Sequence, residues 1–185
     1  MKVNRSGQAE PLTKEQFLTV FRSLSPPHRF ILALTWHCAE RVGAVCNLEV
    51  AHVFQANGKP RPTLLIPGRI RKDKVTREIP VTRGLGQILR EITIPDSPWL
   101  FPSQLNLGRP MNPQVYSRAL KTEFLRLGLS GYSTHSARRG AITLLSQAGL
   151  NARQIQKISG HASLNSVQLY CEVSPAEVEA GLALL

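Results

Sequence analysis

The chain has 185 residues and is short of cysteine, of acid and of long apolar runs. Each shortage removes a class of protein. The three cysteines, Cys38, Cys46 and Cys171, contain no C-x-x-C pair, which argues against a zinc site or a disulfide frame. They read as small apolar fillers in a reducing compartment, here taken as the cytoplasm. No apolar run approaches the roughly 18 residues of a membrane span. No apolar signal core follows Met1-Lys2-Val3-Asn4-Arg5-Ser6-Gly7. Internal repeats, low-complexity tracts and long linkers are also missing, which together with the length implies one domain, or one domain with a small appendage. Twelve Asp and Glu stand against 23 Lys and Arg, a formal net charge of +11. Such an excess says nothing about fold, but it favours polyanionic partners, nucleic acid first and acidic membrane second.

The hydrophobic content of 42% supports a core, and the pattern says where its pieces lie. Thr13 and Gln16 have the spacing of a capping box, and Phe17, Leu18, Val20, Phe21 and Leu24 continue at a helical period. Pro26-Pro27 ends that helix and opens a second one, whose run Phe30 to Trp36 is apolar on most sides and therefore buried. A short helix is expected over Ala44 to Leu48. Thr63 to Pro67 and Arg77 to Val81 read as two strands around a basic tip, Gly68 to Thr76, whose ordinary reading is a solvated loop. Leu85, Ile88, Leu89 and Ile92 fit an amphipathic helix. Prolines 95, 98 and 102 then break the chain, with Trp99-Leu100-Phe101 as a packing plug and Asn106 to Asn112 as a second loop. Helices are expected from Pro113 to Leu127, from an N-cap at Thr134 to Ala148, over Asn151 to Ile158, over Ser163 to Leu169, and from Val178 to the C-terminus.

Several polar groups sit where they need explaining. Glu40-Arg41 closes a buried helix, where an unpaired charge is expensive, so Arg41 has either a structural carboxylate or an anionic ligand. His135 and Arg138 are three apart at the start of a helix, on one face, where free amides and the helix dipole already favour an anion. Gly160-His161 follows a helix stop, and Tyr170 lies nine residues beyond that histidine.

Taken in order, these residues resemble the catalytic domain of the tyrosine recombinases, also called phage-type integrases. The likeness runs over about residues 11 to 180 and is carried by Glu40-Arg41-Val42, Arg71-Lys72-Asp73-Lys74 with Ile79-Pro80, His135-Ser136-Ala137-Arg138, Ser159-Gly160-His161 and Leu169-Tyr170. Single pieces are weak motifs; six positions in order with matching element types form a strong signal. The resemblance implies an α+β fold, mostly helical, with a small antiparallel hairpin. It implies DNA cleavage and rejoining through a 3′-phosphotyrosine, without metal or cofactor. Tyr170 would be the nucleophile, Arg41 and Arg138 the phosphate forks, Lys72 (with Lys74 as the alternative) the leaving-group acid, and His135 and His161 the proton-handling pair. Arg69, Arg71, Lys74 and Arg139 would touch DNA, as would Lys14, Arg22, Arg29, Arg118, Lys121, Arg153 and Lys157. The implied partners are double-stranded DNA and further copies of the chain, with Leu182, Leu184 and Leu185 anchoring a tetramer through the C-terminal helix.

Three departures stand out. Ala44 occupies a position where the family often has Glu, and Arg139 one where many members have His. Only about ten polar residues precede the first helix, so the expectation is a flexible stretch 1–10 and a catalytic domain 11–185, without the helical domain that completes a DNA clamp in most members. Three other readings remain open at this point. One is a helix-turn-helix over Gln154 to Tyr170. Another is an enzyme like the type IB topoisomerases. The last is a degenerate recombinase that binds DNA without cutting it.

Overall fold

Helix α2 (His28–His37) is the piece around which the others pack. Seven consecutive residues, Phe30 to Trp36, are buried, so the helix has no solvent face along that run. The computed structural model describes residues 8–170 together with 179, 182 and 183. Helix α1 (Lys14–Ser23) lies against α2 and is started by the expected capping box, with Thr13 and Gln16 exchanging hydrogen bonds. Its Phe17 stacks on Trp36 at 4.4 Å between ring centroids. Helices α3 (Val42–Cys46), α5 (Arg83–Arg90), α6 (Pro113–Arg126) and α7 (Ser136–Gln147) cover the remaining sides of α2. Gly140 lets α7 lie close to α2 and to the segment before α1. A Cβ there would collide with the backbone of Leu12 and with the Trp36 ring.

The chain leaves α2 through Ala39, whose φ of 46° is a left-handed conformation that an alanine adopts at a cost of roughly 1–2 kcal/mol. That turn sends Glu40 inward and starts α3 at Arg41. A four-residue helix, α4 (Val50–Val53), follows; it is too short to leave a periodic trace in the sequence. Strands β1 (Thr63–Ile66) and β2 (Arg77–Pro80) pair antiparallel, Thr63 opposite Pro80 and Ile66 opposite Arg77. Pro80 costs no ladder bond because β2 has β1 on one side only. Helices α8 (Ala152–Ser159) and α9 (Asn165–Gln168) follow, α8 packed on α7 and α9 on α8.

The sequence reading needs four corrections. Asn106 to Asn112 is not simply a loop. Strand β4 (Asn106–Pro110) pairs with β3 (Pro102–Ser103), pinned by bonds from Ser97 Oγ to the Leu107 carbonyl and from Trp99 Nε1 to the Gly108 carbonyl. Residues 106–109 are exposed on both faces, so no alternation marked the strand. Thr134 is not the cap of α7. Ser133 Oγ accepts from the His135 amide and Ser136 Oγ from the Ser133 amide, closing a turn that moves the helix start to Ser136. The tip between β1 and β2 is not simply solvated either, since it begins with a 3-10 turn (Gly68–Ile70) and then buries Arg71. Helix α4 was not expected at all. The expected C-terminal helix, with Leu184 and Leu185, lies outside the described residues, as do Cys171 and residues 1–7; Leu182 is described and exposed.

Candidate active site

Glu40 is the centre of the site, and it is 1% exposed. Its Oε2 accepts from Arg71 Nε and Arg77 Nη1, both at 2.8 Å, and its Oε1 accepts from Arg138 Nη1 at 3.4 Å. The same Oε1 takes the backbone amide of Arg41 at 2.8 Å. Three guanidinium groups from three elements (the hairpin tip, β2 and α7) therefore converge on one buried carboxylate. Removing one partner from such a cluster costs about 3–5 kcal/mol, because the remaining charge stays buried without compensation.

The cluster also reaches the end of α8. Arg71 Nη2 donates to the Gly160 carbonyl and Arg77 Nη1 to the Ser159 carbonyl, each at 3.4 Å. Gly160 ends α8 with a φ of 64°, the left-handed geometry that glycine adopts without penalty. A Cβ there would collide with the Arg71 guanidinium and lie 2.8 Å from Arg77 Cδ. Glycine is thus required twice over, for its conformation and for the room it leaves. The chain then presents His161. Arg138 Nη2 lies 3.1 Å from His161 Nε2, and Ser159 Oγ lies 2.6 Å from His161 Nδ1. Arginine can only donate, so Nε2 accepts and the ring proton sits on Nδ1. Ser159 Oγ accepts that proton and donates its own to the Ile155 carbonyl at 2.7 Å. Burial first, then the charges of Arg138, Arg41 and Arg77, lower the His161 pKa to about 4 against a smaller opposing effect of Glu40. His161 is therefore neutral at physiological pH. Burial, then Arg41, also lowers Arg138 to about 10, with Glu40 opposing, and it remains a cation.

The reactive groups named from the sequence surround two adjoining cavities. One, of about 410 Å³, is lined by Arg41, Lys72, His135, Gln114 and Ser117 among others. The second, of about 310 Å³, is lined by Arg41, His135, Arg138, Arg139, His161 and Tyr170. Arg41 and His135 belong to both, so all six positions ring one divided groove. The Arg41 guanidinium makes no hydrogen bond or ion pair among the described residues, although its backbone is held by Glu40. The carboxylate beside Arg41 in sequence thus serves Arg71, Arg77 and Arg138, and the Arg41 side chain is left facing the cavities. Lys72 lines the groove and Lys74 does not. The Tyr170 ring sits 6.0 Å from the His161 ring, and the Arg139 guanidinium lies 4.9 Å above it. That contact is a cation–π pair, so Arg139 touches the phenol as well as lining the groove.

Two cations expected to touch DNA are engaged elsewhere. Arg71 is buried, held by Glu40, Asp73 and two carbonyls. Arg29 bonds Glu91 and lies over Phe30. Arg69 is exposed, but it is paired with Glu49. In the sequence Arg77 is legible only as the start of a strand, Ser159 only as part of the Ser159-Gly160-His161 motif, and Glu40 as the neighbour and possible partner of Arg41. The single available hint was an acid ending an apolar helix. The helix-turn-helix candidate resolves into α8 and a four-residue α9, which is one turn and too short to span a groove as a recognition helix.

The model of the phage integrase family matches residues 9–177. The chain is 30% identical over 173 residues to the tyrosine recombinase XerD of Rhizobium meliloti (strain 1021), covering 90% of this chain and 53% of that protein. It is 29% identical over 151 residues to the tyrosine recombinase XerA of Pyrococcus furiosus, covering 79% of this chain and 50% of that one. The chain thus spans about half the length of these curated relatives. Among solved structures, the Tn1549 transposon integrase in complex with a circular intermediate DNA is similar at a TM-score of 0.77 and 18% identity, over 97% of this chain and 67% of that one. The XerH site-specific recombinase bound to difH is similar at a TM-score of 0.71 and 19% identity, over 98% and 55%. At these identities the structural likeness speaks to the fold.

Proposed function

The chain belongs to the phage integrase family, and from that premise we propose that it is a DNA strand transferase that breaks and rejoins DNA through Tyr170. The observation that carries the proposal is the divided groove, in which a phenol, three guanidiniums, two imidazoles and an ammonium line adjoining cavities. The Tyr170 oxygen attacks the phosphorus of a DNA phosphodiester. A 3′-phosphotyrosyl bond forms, the bond to the 5′-oxygen breaks, and no nucleotide cofactor is consumed because one ester replaces another. Arg41 and Arg138 fork onto the nonbridging oxygens and offset the charge that grows in the pentacoordinate transition state. Lys72 gives a proton to the departing 5′-oxygen. The tyrosine proton goes to His135, since His161 is a weak base whose Nε2 lone pair is directed at Arg138. His161 holds Arg138 in place for the phosphate. Attack by the 5′-hydroxyl of a second strand reverses the step and exchanges partners.

In this reading residues 11–185 form the catalytic domain, and double-stranded DNA in the cytoplasm is the substrate. Four copies act together on two sites, joined through the C-terminal helix with Leu182, Leu184 and Leu185. The exposed cations follow the DNA backbone, which makes binding strongly salt-dependent.

The test is covalent capture from a library of nicked duplexes with randomised arms. The wild-type chain is expected to form adducts that withstand boiling in detergent and that enrich one site. Tyr170→Phe is expected to bind that site without forming an adduct. An adduct that survives the substitution would overturn the assignment.

A further inference from the structure

Lys72 sits on an exposed turn, yet the residue before it is among the most buried charges in the molecule. Arg71 has a side chain that is 1% exposed, and all three of its guanidinium nitrogens are used. Nε donates to Glu40 Oε2 at 2.8 Å, Nη1 to the Val75 carbonyl at 2.6 Å, and Nη2 to Asp73 Oδ2 at 2.8 Å and to the Gly160 carbonyl at 3.4 Å. Asp73 in turn accepts from the Val75 amide at 3.1 Å through its other oxygen. The backbone folds over the same group, with the Lys74 amide bonded to the Arg71 carbonyl at 3.3 Å and Lys74 at a φ of 58°. One planar fork therefore fixes the residues on both sides of Lys72 and joins them to the carboxylate that also holds Arg138. A solvated tip would carry its lysine loosely. This tip closes around a buried cation, and Lys72 is the residue it presents to the cavity shared with Arg41 and His135.

We propose that Arg71 is a positioning residue for Lys72. Its fork onto Glu40, Asp73 and Val75 sets the turn that delivers the lysine ammonium to the leaving oxygen. The proposal rests on the reading of Lys72 as the proton donor, and it assigns Arg71 a role other than contact with DNA. It also makes a chemical prediction that a general loss of structure does not. An alkoxide leaving group, derived from an acid about as weak as water at roughly 15.7, needs a proton as it departs. A thiolate, whose conjugate acid has a pKa of about 8.5, does not. Replacing the bridging 5′-oxygen by sulfur therefore removes the need for Lys72 and, with it, the need for whatever positions Lys72.

The experiment compares single-turnover cleavage of the captured duplex carrying oxygen or sulfur at the bridging 5′ position, using the full chain. Lys72→Ala is expected to lose about 10²–10³-fold on oxygen, within the usual range for general acid catalysis, and under about tenfold on sulfur. Arg71→Met is expected to lose about 10–100-fold on oxygen and to approach wild type on sulfur. Arg138→Ala is expected to lose on both. Glu40→Gln is expected to be rescued only in part, because Glu40 holds Arg138 as well as Arg71. Equal losses of Arg71→Met on the two substrates, or no loss on oxygen, would overturn the proposal. If Lys72→Ala is not rescued by sulfur, the proton-donor reading fails on its own and takes the proposal with it. Rescue of Lys72→Ala without rescue of Arg71→Met sinks only the proposal. Should melting curves show that Arg71→Met does not fold, Arg71→Lys and Asp73→Asn decide on the same two substrates. Arg71→Lys keeps the charge without the fork, and Asp73→Asn weakens the fork from the partly exposed side.

Discussion

The two halves of the site are built differently. The inner half is Glu40, Arg71, Arg77, Arg138 and His161, buried or half-buried and tied together by a chain of hydrogen bonds. The outer half is Lys72 and His135, both exposed, with Tyr170 half-buried, whose side chain makes ring contacts with His161 and Arg139. The inner half holds charge in place before any ligand arrives. The outer half carries the groups to which the proposed reaction assigns proton transfer and bond formation. The proposed strand transfer needs both kinds, because preorganised cations lower the barrier only if they do not relax, whereas a nucleophile has to travel.

The difference is sharpest in what substitutions cost. Tyr170→Phe is expected to abolish the covalent adduct while shifting the unfolding midpoint by less than about 0.5 kcal/mol equivalent, in line with other substitutions outside a core. Glu40→Gln is expected to destabilise by about 3–5 kcal/mol in urea unfolding, because three guanidiniums lose their shared counterion. A loss under about 1 kcal/mol would mean that water reaches the cluster, and the contrast between the halves would weaken. Gly160→Ala is expected to cost about 2 kcal/mol or more, from the left-handed backbone and the collision with Arg71. Ala39→Gly works in the opposite direction and is expected to stabilise by up to about 1 kcal/mol, by relieving a positive φ.

A further effect concerns pH. The folded pKa of His161, about 4, lies below the value of about 6.5 expected for the unfolded chain. The unfolded state therefore binds more protons between those values, and stability falls as the pH drops from about 6.5 to 4. His28, His37 and His52 are shifted in the same direction, chiefly by burial. His161→Asn should flatten the melting profile in this window only in part. A profile unchanged by the substitution would show that His161 is not held neutral by its surroundings.

Much of the fold was legible because it is written locally. The capping box at Thr13 and Gln16, the apolar run of α2 and the Pro113 start of α6 are short-range signals, and each lies where it was expected. The six positions that carry the family resemblance were legible as a pattern, and the fold brings them around one groove. What stayed hidden depends on partners far away in the chain. Arg71 reads as one more charge in a basic tip, and only Glu40, 31 residues earlier, and Gly160, 89 residues later, make it a buried anchor. Arg77 reads as a strand-end cation until Glu40 and the Cys38 carbonyl take it. Strand β4 was hidden for the opposite reason, since an exposed strand leaves no hydrophobic alternation to detect.

The most direct test of the account is to locate the covalent bond. No lysine or arginine follows Lys157, and Tyr170 is the only tyrosine beyond it, so trypsin releases residues 158–185 as a peptide with a single phenol. Mass spectrometry of the captured adduct after trypsin and nuclease treatment is predicted to find the nucleotide on Tyr170 of that peptide. A nucleotide on any other residue, or its absence from an adduct that is otherwise stable, would contradict the assignment of Tyr170 as the nucleophile.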